Sequence, residues 1–193
     1  ASASRPPWLM TVSSSASHKG AQMNFPQVSG AANTAPADIQ HLSFRVRQAR
    51  YALPIELVRE IIEYGQITGV PMMPACIHGV INLRGNVVPV LDLAARFGME
   101  RTVPSKRTCI VIIELDLNDA LQRIGLVVDA VDAVLDIQAA DVEPAPGFGA
   151  GIRTEFIAGM ARDERGFTII LDVRKVLSLD DILQISQAMA QAS

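Results

Sequence analysis

Cys76 and His78 are the residues whose types most directly suggest chemistry: a thiol and an imidazole two positions apart in "ACIHGV". On a strand, residues two apart share a face, so the pair reads first as a nucleophile with its base, or as half of a metal site. A zinc site needs four ligands, and no CxxC motif or second histidine pair stands nearby; His18 and His41 lie in or beside the N-terminal stretch. The expectation is a partly buried cysteine beside a turn-flanking histidine, with no metal, no cofactor and no catalytic residue. The carboxylates point the same way. Asp92 and Asp172 sit where helix caps belong, Asp129, Asp132 and Asp136 recur too regularly for a catalytic pair, and Glu114 and Asp116 fall where an apolar run gives way to a polar loop. The glycine-rich "GFGAG", 147–151, follows two prolines and lacks the lysine of a phosphate loop, so it reads as a connector. Two charges remain. Glu60 in "ELVREII" and Arg84 in "NLRGN" each stand among apolar neighbours. They are either a pair or two separate surface charges, and the residues alone leave both readings open.

The elements that must position these residues follow from composition and pattern. The 193 residues are 49% hydrophobic and 19% charged, enough for a sizeable core. A net charge of −3 gives no broad basic field for nucleic acid. The apolar runs are of strand length, too short to insert in a bilayer, and 1–40 lacks the layout of a secretory signal. Two cysteines make no disulfide framework, so a reducing cytoplasm is expected. Residues 1–40, rich in Ser, Ala, Pro and Asn, read as a flexible tail. From Phe44 onward, short β-branched or apolar runs at 44–46, 51–53, 77–83, 87–91, 108–115, 124–128, 156–160 and 167–171 predict strands. Arg84-Gly85-Asn86 predicts a hairpin turn, with Gly85 and Asn86 supplying positive φ. Asp92 predicts a cap for a short helix ending at Gly98, and 179–190 a C-terminal helix within a 179–193 tail.

The chain also repeats itself. Shifted by 80 residues, Ile77, Gly79, Leu91 and Asp92 fall on Ile157, Gly159, Leu171 and Asp172; shifted by 73, Leu53, Val58 and Ile62 fall on Leu126, Val131 and Leu135. Two similar β units are expected, roughly 44–100 and 107–177 within a domain spanning 41–178, each of about five strands closing as a small barrel.

The blocks "YALPIELVREII", "IHGVINLRGNVVPVLDLAARFG", "RIGLVVDAVDAVL", "DVEPAP" and "TEFIAGMARDERGFTIILDVRKVL" resemble those of CheW-type chemotaxis coupling proteins, from residue 44 to about 177. The N-L-R-G block with its V-P-V-L-D-L is the most specific. The resemblance implies a mainly β fold of two five-stranded SH3-like barrels packed together, no catalytic activity, and two partners in cytoplasmic arrays beneath the inner membrane. Those partners are the cytoplasmic hairpin tip of a chemoreceptor and the regulatory domain of the histidine kinase CheA. It implies that Glu60 and Arg84 pair beside a receptor groove, with Val58, Gly79 and Val134 near it, and it leaves the kinase-facing surface unassigned. Arginine's planar fork suits such ordering better than lysine would. Tyr51-Ala52-Leu53-Pro54 departs from the family, which often has an acidic residue and a glycine there. Similar departures occur in CheW-like modules of type IV pilus and other chemosensory pathways, so a kinase-binding regulatory module is the alternative reading.

Overall fold

Eleven strands and two single-turn helices make up most of the computed structural model, which describes residues 39–117, 120–145, 147, 151–163 and 166–177. These all lie in one compact unit, 34–193. The expectations for 1–38 of the tail, for most of "GFGAG" and for the C-terminal helix fall outside the described residues; Ile39 and Gln40, expected in the tail, instead begin a strand.

The strands are β1 (Ile39–Val46), β2 (Ala49–Pro54), β3 (Val58–Glu63), β4 (Ile77–Leu83), β5 (Asn86–Asp92), β6 (Cys109–Leu117), β7 (Ala120–Val128), β8 (Ala130–Ile137), β9 (Val142–Glu143), β10 (Ile157–Asp163) and β11 (Gly166–Leu171). The helices are α1 (Leu93–Arg96) and α2 (Val173–Val176). They form two sheets, one ordered β3-β6-β7-β5-β4 and the other β8-β1-β2-β11-β10-β9. The fold is mainly β, as expected, and one sheet carries the two-residue β9 beyond five strands.

The sheets correct the expected division into 44–100 and 107–177. β1 and β2 pair with strands of the second stretch, and β6 and β7 with strands of the first. The internal repeat is real in structure: β1-β2-β3-β4-β5-α1 is followed by β6-β7-β8-β10-β11-α2. Each repeat, however, gives its first two strands to the other's sheet. The exchange is sealed by two parallel pairings, Val90–Asp92 with Gly125–Val127 and Thr168–Ile170 with Arg50–Ala52. A contiguous repeat could not bury its strands alone, because β6 is covered on both faces. Ile110 and Ile112 face a small cluster with Val88, Val90 and Val127. Val111 and Ile113 face the main core, which draws Phe44, Tyr51, Leu53, Leu126, Phe156 and Leu171 from both sheets. That double burial explains the unbroken apolar run 109–113.

Each sheet closes on itself where the chain leaving the third strand of a repeat, β3 or β8, reaches the fourth, β4 or β10. Thr68 bridges Val80 in one sheet, and Glu143 and Val142 pair with Met160 and Ala161 in the other. A glycine makes room at both crossings. A Cβ on Gly79 would lie 2.2 Å from the Thr68 carbonyl oxygen, and one on Gly159 2.3 Å from Val142 Cγ1. The two predicted caps are present: Asp92 accepts from the Ala95 N–H at 3.2 Å and Asp172 from the Lys175 N–H at 3.3 Å. β3 and β8 are absent from the sequence-based strand assignment. Both carry a bulge, at Arg59 and Asp132.

Candidate interaction site

Arg84 stands at the tip of the β4–β5 hairpin, where Leu83 pairs with Asn86 across a two-residue turn. Arg84 has φ 52° and Gly85 φ 86°, the doubly positive pattern of a type I′ turn, which matches the twist of the flanking strands. The positive φ therefore falls on Arg84 and Gly85, not on Gly85 and Asn86. Asn82 explains how: its Oδ1 accepts the Gly85 N–H at 2.8 Å and braces the turn. A non-glycine residue in this region is uncommon and costs about 1–2 kcal/mol. In return, the arginine side chain leaves the tip and crosses to β3. There its Nη2 donates to Glu60 Oε2 at 2.8 Å. Of the two readings left open by the sequence, the pair is the one observed.

The Glu60 side chain is 25% exposed and the Arg84 side chain 80%. An ion pair this wet contributes about 0–1 kcal/mol, so stability does not account for a strained turn that presents a guanidinium to solvent. The remaining expected groove residues are placed differently. Val58 is half-buried against the main core. Gly79 is buried beneath the Thr68 carbonyl, which gives it a steric role in closing the sheet. Val134 is 49% exposed on β8, in the other sheet. Glu60 and Arg84 are thus the two that the structure bonds to each other.

The strongest polar constellation beside them was not assigned from sequence. Glu114, expected at a strand end, lies inside β6 and opposite Arg123 of β7. Arg123 Nε donates to its Oε2 at 2.9 Å, and Arg59 of β3 pairs with its Oε1. The hydrogen bond from Arg123, followed by that from Arg59, pulls the Glu114 carboxyl below its ordinary range. Asn118-Asp119, a two-residue hairpin signal at the midpoint between Glu114 and Arg123, marks this pairing in the sequence. No local pattern marks Arg59.

Cys76 and His78 do not share a face. Ile77 lies opposite Leu91 and Gly79 opposite Val90, so His78 is the extra residue of a bulge and turns toward Tyr64, whose hydroxyl is 2.9 Å from His78 Nε2. Its Nδ1 is 3.7 Å from Asp92 Oδ2. Asp92, fully buried, accepts from the Thr102 N–H at 2.8 Å and the Thr102 hydroxyl at 3.1 Å besides capping α1. Burial, reinforced by the Asp92 charge, raises the Tyr64 hydroxyl above its ordinary value. Cys76 is buried, and the described residues hold no group of three or more metal-ligating side chains. Asp132 and Asp136, expected on a solvated face, lie on β8 and bond Arg45 and Gln40.

The fold is thus two interleaved β-sheets, with an ion-paired arginine held out from a braced hairpin. The chain belongs to the CheW-like domain family, whose model matches residues 40–181. It is 32% identical over 143 residues to the chemotaxis protein CheW of Klebsiella aerogenes, covering 74% of this chain and 84% of that one. It is 34% identical over 122 residues to the protein FrzA of Myxococcus xanthus, covering 62% and 71%. Among solved structures it is similar to the scaffolding protein TtCheW from Thermoanaerobacter tengcongensis, with a TM-score of 0.67 and 33% identity over 77% of this chain and 94% of that one. The family is one of chemotaxis adaptors and scaffolds, not of enzymes.

Proposed function

We propose that the protein couples chemoreceptors to the histidine kinase CheA, in the cytoplasm at receptor arrays beneath the inner membrane. The receptor's helical hairpin tip docks beside Glu60 and Arg84, flanked by Val58 and Val134, while Gly79 keeps the sheet closed behind it. The regulatory domain of CheA takes another surface of the barrels. The observation that carries this reading is Arg84 itself: a strained, side-chain-braced turn holds a mostly exposed guanidinium against Glu60 with little return in stability. Docking would bury the pair, and there the arginine fork becomes worth its cost.

The test is Arg84→Ala in a binding assay with a receptor cytoplasmic fragment. Removing one partner of a charge pair at an interface costs on the order of 2 kcal/mol or more, so receptor affinity should fall about 30-fold while CheA binding and the melting temperature hold. Loss of CheA binding with receptor affinity intact would move the arginine to the kinase face. The similarity to FrzA, a relative whose name is not that of a chemotaxis protein, favours a second reading: a kinase-binding regulatory module of another chemosensory pathway. Co-sedimentation with CheA but never with a receptor fragment would select it.

A further inference from the structure

We propose that Arg59 and Arg123, held over Glu114, form a cationic clamp that receives an acidic side chain of the helix docked at Arg84. This rests on the adaptor reading above and extends its site along β3, β6 and β7.

The clamp is built by a bulge. Val58 lies opposite Ile113 and Glu60 opposite Ile112, so Arg59 is the extra residue of β3. A bulge re-aims the side chain of its extra residue, and Arg59 reaches Glu114, the residue of β6 next to Ile113. Arg123 reaches the other oxygen of the same carboxylate from β7. Two guanidiniums thus share one negative charge, leaving a local surplus of one positive charge. The exposures show which way that surplus faces: 52% for Arg59 and 50% for Arg123, against 10% for Glu114. The acid lies beneath and the two forks point out. Asp116, exposed and on the same face two residues farther along β6, bounds the positive region toward the hairpin tip. On the other side the clamp adjoins the proposed site, since Glu60 faces Ile112, about 7 Å along β6 from Glu114.

The fold supplies its own comparison. The equivalent bulge in the other sheet makes Asp132 the extra residue of β8, opposite Ser43 and Phe44. It too gathers two arginines, Arg45 and Arg50. There the Arg45 side chain is 45% exposed but the Arg50 side chain only 14%, so one of the two arginines is turned inward. The Glu114 clamp differs in turning both arginines outward, as a site for an anionic partner requires.

The test uses the full chain and two receptor hairpin fragments: one carrying Asp and Glu at its tip, and one with those residues changed to Asn and Gln. The triple variant R59Q/E114Q/R123Q strands no charge and keeps a polar, hydrogen-bonding side chain at each position, and its melting temperature, measured alongside, separates binding from folding. It should bind the acidic fragment about tenfold more weakly than the unaltered chain, with a flatter dependence of affinity on salt. It should bind the neutral fragment no differently. Glu114→Gln alone, which removes the shared acid and leaves both arginines, should hold or improve affinity for the acidic fragment. Equal affinity of the triple variant and the unaltered chain for the acidic fragment overturns the clamp. If Arg84→Ala still weakens binding in that case, the adaptor reading stands without it. If the triple variant weakens binding and Arg84→Ala does not, the clamp stands and the site centres on it. Absence of binding by the unaltered chain removes both.

Discussion

Glu114 shows how one residue's surroundings convert to a pH dependence. Its ordinary carboxyl value is 4.5, and the two arginines lower it in the folded chain. A depressed acid is a group the folded state prefers ionised. Its contribution to stability is therefore complete above the unfolded value and is lost as pH falls through the folded one. Chemical denaturation from pH 6 downward should show a loss of stability beginning near pH 4.5, and Glu114→Gln should reduce that loss. An unaltered acid limb in the variant would show that the arginines do not hold the charge. The two capping aspartates invite a second comparison. Asp172 is partly exposed and caps α2 alongside an ion pair with Lys175, so Asp172→Ala should cost about 1 kcal/mol. Asp92 is fully buried and also accepts both Thr102 donors. Its removal leaves those donors without their acceptor, at about 1–3 kcal/mol more. Urea midpoints for the two variants should separate in that order; equal midpoints would mean that only the caps matter.

Among the elements, the strand–glycine crossings are the points of least tolerance. Gly79 has φ +149° with the Thr68 carbonyl oxygen 2.2 Å from a would-be Cβ, whereas Gly85 at φ +86° has open space around it. Gly85→Ala should cost only the backbone penalty, about 1 kcal/mol. Gly79→Ala must also push the crossing chain off β4, so it should cost about 2 kcal/mol or more and expose the amides of Thr68 and Val80, which now bond each other's carbonyls at 2.9 Å. Hydrogen exchange at those two amides checks it: faster exchange at both is expected in Gly79→Ala and at neither in Gly85→Ala. Unchanged protection at Thr68 in Gly79→Ala would show that the crossing yields without opening.

At the scale of the molecule, the exchange of strands between repeats makes folding indivisible. Neither repeat owns a complete sheet, since β1 and β2 belong with β8, β10 and β11, and β6 and β7 with β3, β4 and β5. Fragments 39–105 and 106–177 should each lack native β structure alone. Mixed together they should regain it, because the main core is assembled from both. Circular dichroism and size-exclusion of the separate and mixed fragments decide the matter. A folded monomer from either fragment alone would contradict the interleaving.

The local code of the chain determined most of its elements. Apolar runs marked β4, β5, β6 and β11, Asp92 and Asp172 marked the two helix starts, and the spacing of 80 residues marked the repeat, because each of these is set by neighbours in sequence. The N-L-R-G block likewise carried the turn and pointed to Arg84, although the residue bearing the positive φ depended on the Asn82 side chain. The tertiary structure decided which strands share a sheet, since a repeat of similar strands is compatible with pairing inside a unit or across units. Burial of β6 on both faces favours the latter. It also decided the bulges at Arg59, His78 and Asp132. A bulge is a mismatch in length between two paired strands, and neither strand alone records the register of its partner. For that reason Glu60 and Arg84 stood out in the sequence, and the clamp on Glu114 did not.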